Sequence, residues 1–315
     1  MIRYRPFMNG DPPALAAIWR SHSTPRSMTQ PLSATMLVET VLAKPYFENA
    51  GLIVALQDNH PIGFVHAGFG PNADETSLDK STGTVCALVL NPAGWHGEAP
   101  QGLLAAAEDY LRAAGAQAVW GGGAPCFSPF YMGLLGGSRQ YGVPASDAAG
   151  QAAFAAAGYQ QADCYSVRHR DLRSFRPPMN RKLMQLRRQL IVERLNDPAT
   201  TTWWAACTVG ACERTVFVAR GKDGGPALAS VSFWNMEPLA HRWGVRAAGM
   251  LRLTVEPDRR RQGLATYLLC EAFRQLAEEG ISLIEAQAPC GDAAARGLFD
   301  SFGLTEIEQG IMFRK

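Results

Sequence analysis

The segment 251–269 carries the residues with the clearest potential for chemistry. A strand-like run rich in β-branched residues ends at Pro257, three arginines follow at 259–261, and Gly263 and Ala265 open an amphipathic helix-like stretch. Small residues at such a junction let backbone N–H groups point outward, and a helix N-terminus adds about half a positive charge. The segment therefore predicts a site for a phosphate or pyrophosphate group. A solvated, charged turn is the alternative.

The spacing of this segment resembles that of a known family. The pattern V-x-P-x-x-R-x-x-G-x-A at residues 255–265 resembles the acyl-CoA signature of the GCN5-related N-acetyltransferases (GNATs), in which V-x-P precedes Q/R-x-x-G-x-G/A. The pattern A-x-x-L-F-x-x-F-G-L at residues 295–304 is similar to that of their fourth helix. On these two motifs the chain is identified as a member of the GNAT superfamily.

The resemblance implies an acetyl-CoA-dependent N-acetyltransferase, in which an amine attacks acetyl-CoA directly. It implies that backbone amides of the loop hold the CoA pyrophosphate and that the pantetheine pairs with strand 253–255, where this strand splays from strand 283–288. A backbone N–H there would polarise the thioester. The cofactor-binding residues that it implies are Leu253, Thr254, Val255, Arg260, Arg261, Gln262, Gly263, Leu264, Ala265, Thr266 and Phe299.

The catalytic residues are less clearly marked. Phe299 replaces the tyrosine that in this family usually protonates the CoA thiolate, and it is interpreted mainly as core packing. Asp292 stands at a frequent asparagine position and is expected to cap a helix. Glu285 is a candidate general base that could point at the acyl channel or away from it, as a paired strand carboxylate. His241 could relay a proton or be a surface histidine. No metal site is predicted.

An internal repeat organises the chain. Asp147 and Phe154 are seven residues apart, as are Asp292 and Phe299, and a glycine follows eleven residues after each aspartate. The repeat predicts two tandem GNAT-like α/β (α+β) domains, each with a mixed, mainly antiparallel central sheet flanked by helices. The predicted boundaries are a first domain at 1–171, a linker at 172–180 and an acetyltransferase domain at 181–315.

The first copy has lost the cofactor loop. The alignment of the two halves puts Trp95, Glu98 and Pro100 at the positions of the arginine, glycine and alanine of the signature. Glu98 would repel a pyrophosphate, so the first domain is expected to be a degenerate copy. Its inserted loop at 126–145 could help to bind the acceptor, or the domain could be purely structural; the aromatic residues concerned are Phe130, Tyr131 and Tyr141.

Composition limits the partners. The 315 residues carry a net charge of +2, which gives no overall attraction for nucleic acid or a membrane surface. The seven cysteines contain no C-x-x-C pair, so we expect small buried side chains rather than a disulfide framework, in a cytoplasmic protein. A basic cluster at the junction is interpreted as a solvated linker or as a contact for CoA phosphates; it comprises Arg168, Arg170, Arg173, Arg176, Arg181, Lys182, Arg187 and Arg188.

The predicted acceptor is the primary amine of a small molecule, and the predicted protein is a monomer with its two domains packed together. Two other functions stay open. One is a catalytically silent acyl-CoA-binding or regulatory module, suggested by Phe299 and by the absence of an obvious base. The other is acetylation of protein lysines or N-termini.

Overall fold

The computed structural model describes residues 1–22, 28–124, 129–139, 142–178 and 181–315. Cys126, Tyr141 and the last two residues of the predicted linker, 179–180, lie outside the described residues. The α-helices are α1 Pro12–Ser21, α2 Ala34–Leu37, α3 Ala99–Ala113, α4 Ala148–Ala156, α5 Arg181–Gln189, α6 Trp203–Val209, α7 Glu237–Trp243, α8 Leu264–Glu278 and α9 Ala293–Ser301. The strands are β1 Ile2–Pro6, β2 Leu52–Gln57, β3 His60–Pro71, β4 Leu78–Leu90, β5 Ala118–Gly121, β6 Val143–Pro144, β7 Gln160–Asp171, β8 Leu190–Asn196, β9 Arg214–Gly221, β10 Ala229–Asn235, β11 Ala247–Val255, β12 Leu283–Pro289 and β13 Thr305–Arg314.

The chain divides into two compact units, each built from more than one stretch of sequence. Unit 1 comprises Met1–Ser166, Thr200–Gly210 and Glu308–Lys315, and unit 2 comprises Val167–Ala199 and Ala211–Ile307. Both units are mixed α/β structures with a mainly antiparallel sheet and flanking helices, which confirms the predicted fold class. The predicted boundaries at 171/172 and 180/181 concern the repeated sequence units and stay a prediction.

The sheet of unit 2 has the strand order β13-β7-β12-β11-β10-β9-β8, to which β7 contributes residues 167–171 and β13 contributes residues 305–307. Neighbouring strands from β11 to β8 are antiparallel, whereas β11 and β12 are parallel. Helices α8 and α9 cover one face with a continuous apolar core, which includes Leu268, Phe273 and Phe299. Burial of these apolar faces drives the packing of helix on sheet.

The sheet of unit 1 has the order β1-β2-β3-β4-β5, and residues of β13 pair with β5 at its end. Strands β4 and β5 are parallel over a short stretch that ends at Val85 and Gly121. One face packs against α3, and the other packs against α1 through a second apolar cluster that contains Trp19. Unit 1 therefore has its own complete core on both faces of its sheet.

The two halves end their fourth major helices in the same way, as the repeat predicts. The Asp147 side chain accepts a hydrogen bond from Gly150 N and caps α4, and the Asp292 side chain accepts one from Ala295 N and caps α9. Each helix is followed by a left-handed glycine, Gly158 with φ 85° and Gly303 with φ 66°. An aspartate cap and a left-handed glycine stop are the expected ends of a helix.

The cysteines depart from the expectation in part. Cys86 and Cys270 are buried thiols, as predicted, and Cys207 and Cys212 are also thiols that form no disulfide bond. Cys164 and Cys290 are disulfide-bonded, so the prediction of unpaired cysteines is wrong for these two. Sequence spacing cannot show which distant side chains a fold brings within bonding distance. No helix in the described parts of the chain has the length and apolar character needed to cross a membrane.

Candidate functional site

Two parallel strands of unit 2 separate at the centre of its sheet. Strands β11 and β12 pair only from Ala247 opposite Leu283 to Gly249 opposite Glu285. Beyond this point β11 continues to Val255, and β10 still pairs with it on the other side. Residues 251–255 therefore present an unpaired backbone edge towards β12, and an extended ligand could hydrogen-bond to this edge as an added strand. This is the splay that the family resemblance implies.

A bulge marks the start of this open edge. Ser232 pairs with Arg252, whereas the next residue of β10, Phe233, pairs with Met250, so Leu251 is the extra residue. A bulge turns the backbone groups of the extra residue out of the regular ladder. Leu253, Thr254 and Val255, the predicted pantetheine residues, follow directly and are all partly buried.

The open edge leads into the N-terminus of α8. A single 3-10 turn, Pro257–Arg259, and the left-handed residues Arg261 (φ 60°) and Gly263 (φ 87°) redirect the chain between strand and helix. The N–H groups of residues 264–266 have no acceptor within the helix, because they belong to its first turn, and no side chain caps them. Arg260, Arg261 and Gln262 are exposed around this end, so fixed donors and positive charge converge here.

Helix α5 adds a further cation to this loop. Lys182 Nζ donates a hydrogen bond of 3.4 Å to the carbonyl oxygen of Arg261. A Cβ atom placed on Gly263 would lie 3.2 Å from Lys182 Cε, so the lysine side chain lies against the glycine. Of the basic cluster named above, Lys182 is thus a residue that the structure brings to the predicted phosphate site.

The predicted Phe299 lies away from the surface. Its side chain is 4% exposed and packs within the core between the sheet and the helices of unit 2. Asp292, seven residues before it, caps α9 as described above. The role of Phe299 at the acyl group therefore stays a prediction, and its packing in the core is observed.

Glu285 lies at the point where β11 and β12 part. Its neighbours Ile284 and Ala286 face the α8 core, so Glu285 points to the opposite face of the sheet. The carboxylate is fully buried and has two partners: Oε2 is 3.0 Å from His169 Nε2, and Oε1 accepts a hydrogen bond of 3.0 Å from Gln287 Nε2. The alternative of a paired strand carboxylate is therefore the observed one.

His169 is reached from β7, the strand next to β12. Its side chain is 6% exposed, and its ring lies edge-on to that of Trp243, with 4.9 Å between the ring centroids. Trp243 ends α7, and the predicted proton relay His241 lies on the same helix, where it is exposed. His241 stays a prediction. Among the described residues, no group of three or more His, Cys, Asp or Glu side chains is placed to hold a metal ion.

The fold is shared with known tandem proteins. A tandem GNAT protein from the clavulanic acid biosynthesis pathway is 13% identical, with a TM-score of 0.68 and coverage of 100% of this chain and 98% of that one. A GCN5-related N-acetyltransferase from Sphaerobacter thermophilus is also 13% identical, with a TM-score of 0.67 and coverage of 100% and 95%. No curated protein matches the chain significantly. Residues 180–304 match the model of the Acetyltransferase (GNAT) family. The whole chain therefore has the fold of a tandem GNAT protein, and the family match lies in its carboxy-terminal part.

A third structure gives the same fold in a different setting. It is the GCN5-related glucosamine N-acetyltransferase region of a fungal multi-domain GH3 β-N-acetylglucosaminidase, 15% identical, with a TM-score of 0.73; this chain is covered fully and 38% of that chain is covered. At these identities the likeness shows the GNAT fold alone. The family model matches the half of the chain that holds unit 2's open strand edge and α8.

Unit 1 has the same splay without the anion site. Its α3 corresponds in position to α8, but Pro100 in the first turn has no N–H to donate, and Ala99 is fully buried. Tyr4 fills the space beside this helix end: a Cβ on Gly102 would lie 2.0 Å from the Tyr4 hydroxyl oxygen. That hydroxyl also donates a hydrogen bond of 3.4 Å to Glu98 O. These contacts close the helix end that is open in unit 2.

Two residues of the candidate site in unit 2 are absent from the sequence prediction. His169 stands between Arg168 and Arg170 of the basic cluster, and the cluster does not include it. Trp243 is the last residue of α7, the helix that also carries the predicted His241. The alternation of side chains along a strand could have separated His169 from Arg168 and Arg170, but its partner is 116 residues away in sequence.

Proposed function

We propose that unit 2 binds acetyl-CoA and transfers its acetyl group to the primary amine of a small-molecule acceptor. One observation carries the proposal: the open edge of β11 at 251–255 runs directly into the uncapped N-terminus of α8. An open strand edge suits a pantetheine chain with its two amide groups, and a helix N-terminus suits a pyrophosphate. The two sites follow each other in the order of these groups along CoA.

The residues of the loop fit this ligand. Gly263 adopts φ 87°, which L-residues rarely adopt, and its missing Cβ leaves the approach to the N–H groups of 264–266 open apart from the flexible Lys182. Arg260, Arg261 and Lys182 would supply charge to the pyrophosphate or to other CoA phosphates. Leu253, Thr254 and Val255 would offer backbone donors and acceptors to the pantetheine.

The chain's own groups would then do two things. The backbone N–H groups near the bulge at Leu251 would donate to the thioester carbonyl and stabilise the negative charge that develops on its oxygen. The walls of the gap between β11 and β12 would hold the acyl carbon near the attacking amine, which removes most of the entropic cost of bringing two substrates together. The thiolate of CoA leaves with the electrons of the broken C–S bond.

We further propose that unit 1 is a degenerate copy that binds no CoA. Pro100 and Tyr4 close the helix end that would hold the pyrophosphate, and Glu98 would repel it. The expected stoichiometry is therefore one CoA per chain.

The test combines a free-thiol release assay with calorimetry. The full chain is titrated with CoA and then assayed with acetyl-CoA against a panel of small amines and of lysine-containing and free N-terminal peptides. We expect one CoA bound per chain and turnover with small amines. Turnover with peptides only would favour a protein acetyltransferase. Binding without turnover would favour a silent module, to which the buried Phe299 and its missing hydroxyl are suited.

A chain that binds no CoA would overturn the proposal. Two molecules of CoA per chain would overturn the assignment of unit 1. These outcomes are separate, because the first concerns α8 and the second concerns α3.

A further inference from the structure

A buried histidine–carboxylate pair lies at the base of the gap between β11 and β12. His169 on β7 is 6% exposed and Glu285 on β12 is fully buried, and both belong to unit 2. Glu285 occupies the last position at which β12 still pairs with β11, opposite Gly249. The pair therefore sits where the proposed acyl gap begins, on the sheet face opposite α8.

The hydrogen bond to Glu285 decides which nitrogen of His169 carries the proton. A carboxylate only accepts hydrogen bonds, so His169 Nε2, at 3.0 Å from Oε2, must donate. In a neutral imidazole, Nδ1 then carries the lone pair. Nδ1 is buried and has no hydrogen-bond partner among the described residues. A buried acceptor without a hydrogen bond destabilises the fold, so this nitrogen needs a ligand or a water molecule as its partner.

We propose that His169 Nδ1 accepts the proton of the acceptor amine and that Glu285 positions the imidazole. This inference rests on the proposed acetyl transfer in unit 2. As the amine nitrogen forms its bond to the acetyl carbon, one N–H proton passes to His169 Nδ1. The C–S bond breaks, and its electron pair leaves on the CoA thiolate. The imidazolium later gives its proton to solvent or to the thiolate, so the products are an N-acetyl amine and CoA.

The arrangement is that of a histidine base held by a carboxylate. In such pairs the carboxylate selects the tautomer and stabilises the imidazolium, and the histidine exchanges the proton. Glu285 is suited to the positioning role, because both of its oxygens are engaged, by His169 and by Gln287. Since both oxygens already have hydrogen-bond partners, Glu285 is less suited than His169 to accept the proton of an amine directly. His241 is exposed on α7 and lacks a described carboxylate partner of this kind.

Two uncharged side chains are among the contacts of the pair. Trp243 from α7 covers the edge of the imidazole, and Gln287 is the polar neighbour on β12. On β7 itself the flanking residues are Arg168 and Arg170; strand alternation points both of them to the other face, where Arg168 pairs with Asp300. Arg242 and His241 are the titratable groups of α7. Substitution of His169 and of Glu285 therefore tests whether a pH dependence of the rate comes from this pair.

The first experiment uses variants that keep the size and the hydrogen bonds of the pair. H169Q retains an amide donor towards Glu285, and E285Q removes the charge of the carboxylate. The double variant has no buried carboxylate at this position, so a loss of activity in it cannot come from an unpaired buried charge. H60Q is the matched control, because His60 is an exposed histidine on the hairpin between β2 and β3 of unit 1. Each variant is titrated with CoA by calorimetry and assayed for kcat from pH 5 to pH 9.

We expect H169Q to lower kcat by roughly 10²- to 10⁴-fold, with CoA affinity within about twofold of wild type. The pH profile of kcat should change in H169Q, because its side chain cannot take up a proton. E285Q should lower kcat by at least about tenfold and keep a pH dependence that H169Q lacks. H60Q should behave as wild type.

Two results would overturn the inference. One is an H169Q chain with kcat within about threefold of wild type and the same pH profile. The other is a loss of CoA binding that parallels the loss of activity, which would make the pair structural. If the wild-type chain binds CoA but acetylates no amine, the proposed acetyl transfer is refuted, and the assignment of His169 as the base is refuted with it. If the wild-type chain is active and H169Q is equally active, only the assignment of His169 is refuted.

Discussion

Gly263 offers the sharpest test of the anion site. It adopts φ 87° as the residue before α8, and a Cβ there would meet only the flexible Lys182 and Leu186 side chains. In Gly263→Val, the β-branched side chain strongly disfavours this conformation. The loop must then either keep its shape under strain or relax and turn the N–H groups of residues 264–266 away.

Gly280 is a matched control at the other end of the same helix. Its φ is 85°, and a Cβ there would lie 3.3 Å from Arg246 Nη1, a contact as mild as the 3.2 Å contact at Gly263. A left-handed L-residue costs about 1–2 kcal/mol, so both valine variants should lose at least about this much free energy of unfolding. Hydrogen bonds to a charged group contribute about 1.5–3 kcal/mol each. The loss of one bond to the pyrophosphate should weaken CoA binding at least about tenfold.

Calorimetric titration with CoA and thermal denaturation separate these effects. Gly263→Val should raise the Kd for CoA at least about tenfold, and Gly280→Val should leave it within about twofold, at similar losses of stability. Equal changes in Kd would show that CoA affinity follows general stability. An unchanged Kd in both variants would refute the assignment of the helix N-terminus as the pyrophosphate site.

Three further predictions address other parts of the chain. Asp292→Ala and Asp147→Ala should each remove about 1 kcal/mol of stability in urea unfolding, because each aspartate caps a helix of the repeat; no loss would contradict the capping assignment. Burial lowers the pKa of His66 to about 3, so the unfolded chain takes up a proton below about pH 6.5 that the folded chain does not. Stability should be full above about pH 6.5 and lower by about 2 kcal/mol at pH 5, and this decrease should be absent from His66→Phe when unfolding is followed against pH. Lys182→Met should weaken CoA binding about two- to fivefold at low salt, whereas Lys222→Met, on an exposed hairpin, should not, and raising the salt to about 0.5 M should abolish the difference.

The parts of the fold that could be predicted are those with local causes. An aspartate followed by a helix and a glycine stop is encoded within about a dozen residues, and both copies of this pattern form as predicted, at Asp147 and at Asp292. The glycine of the signature likewise takes the left-handed conformation that a loop-to-helix junction needs. Such features depend on backbone preferences of the residues themselves, so the sequence is enough to predict them.

The parts that could not be predicted depend on distant partners. The bulge at Leu251 depends on the register between β10 and β11. The hydrophobic pattern of a strand indicates which of its faces is buried, but not where an extra residue interrupts the pairing. His169 meets Glu285 because β7 lies beside β12 in the sheet, and strand order is a property of the whole fold. The disulfide state of Cys164 and Cys290 is unpredictable for the same reason.

The division of the chain into units also affects how the protein is made. Unit 1 begins at Met1 but includes Thr200–Gly210 and Glu308–Lys315. During synthesis on a ribosome its sheet cannot be completed until residues 308–315 emerge, after all of unit 2 has been translated. A nonsense mutation in a codon for residues 308–315 would therefore damage unit 1 and leave the proposed acetyl-CoA loop in the polypeptide.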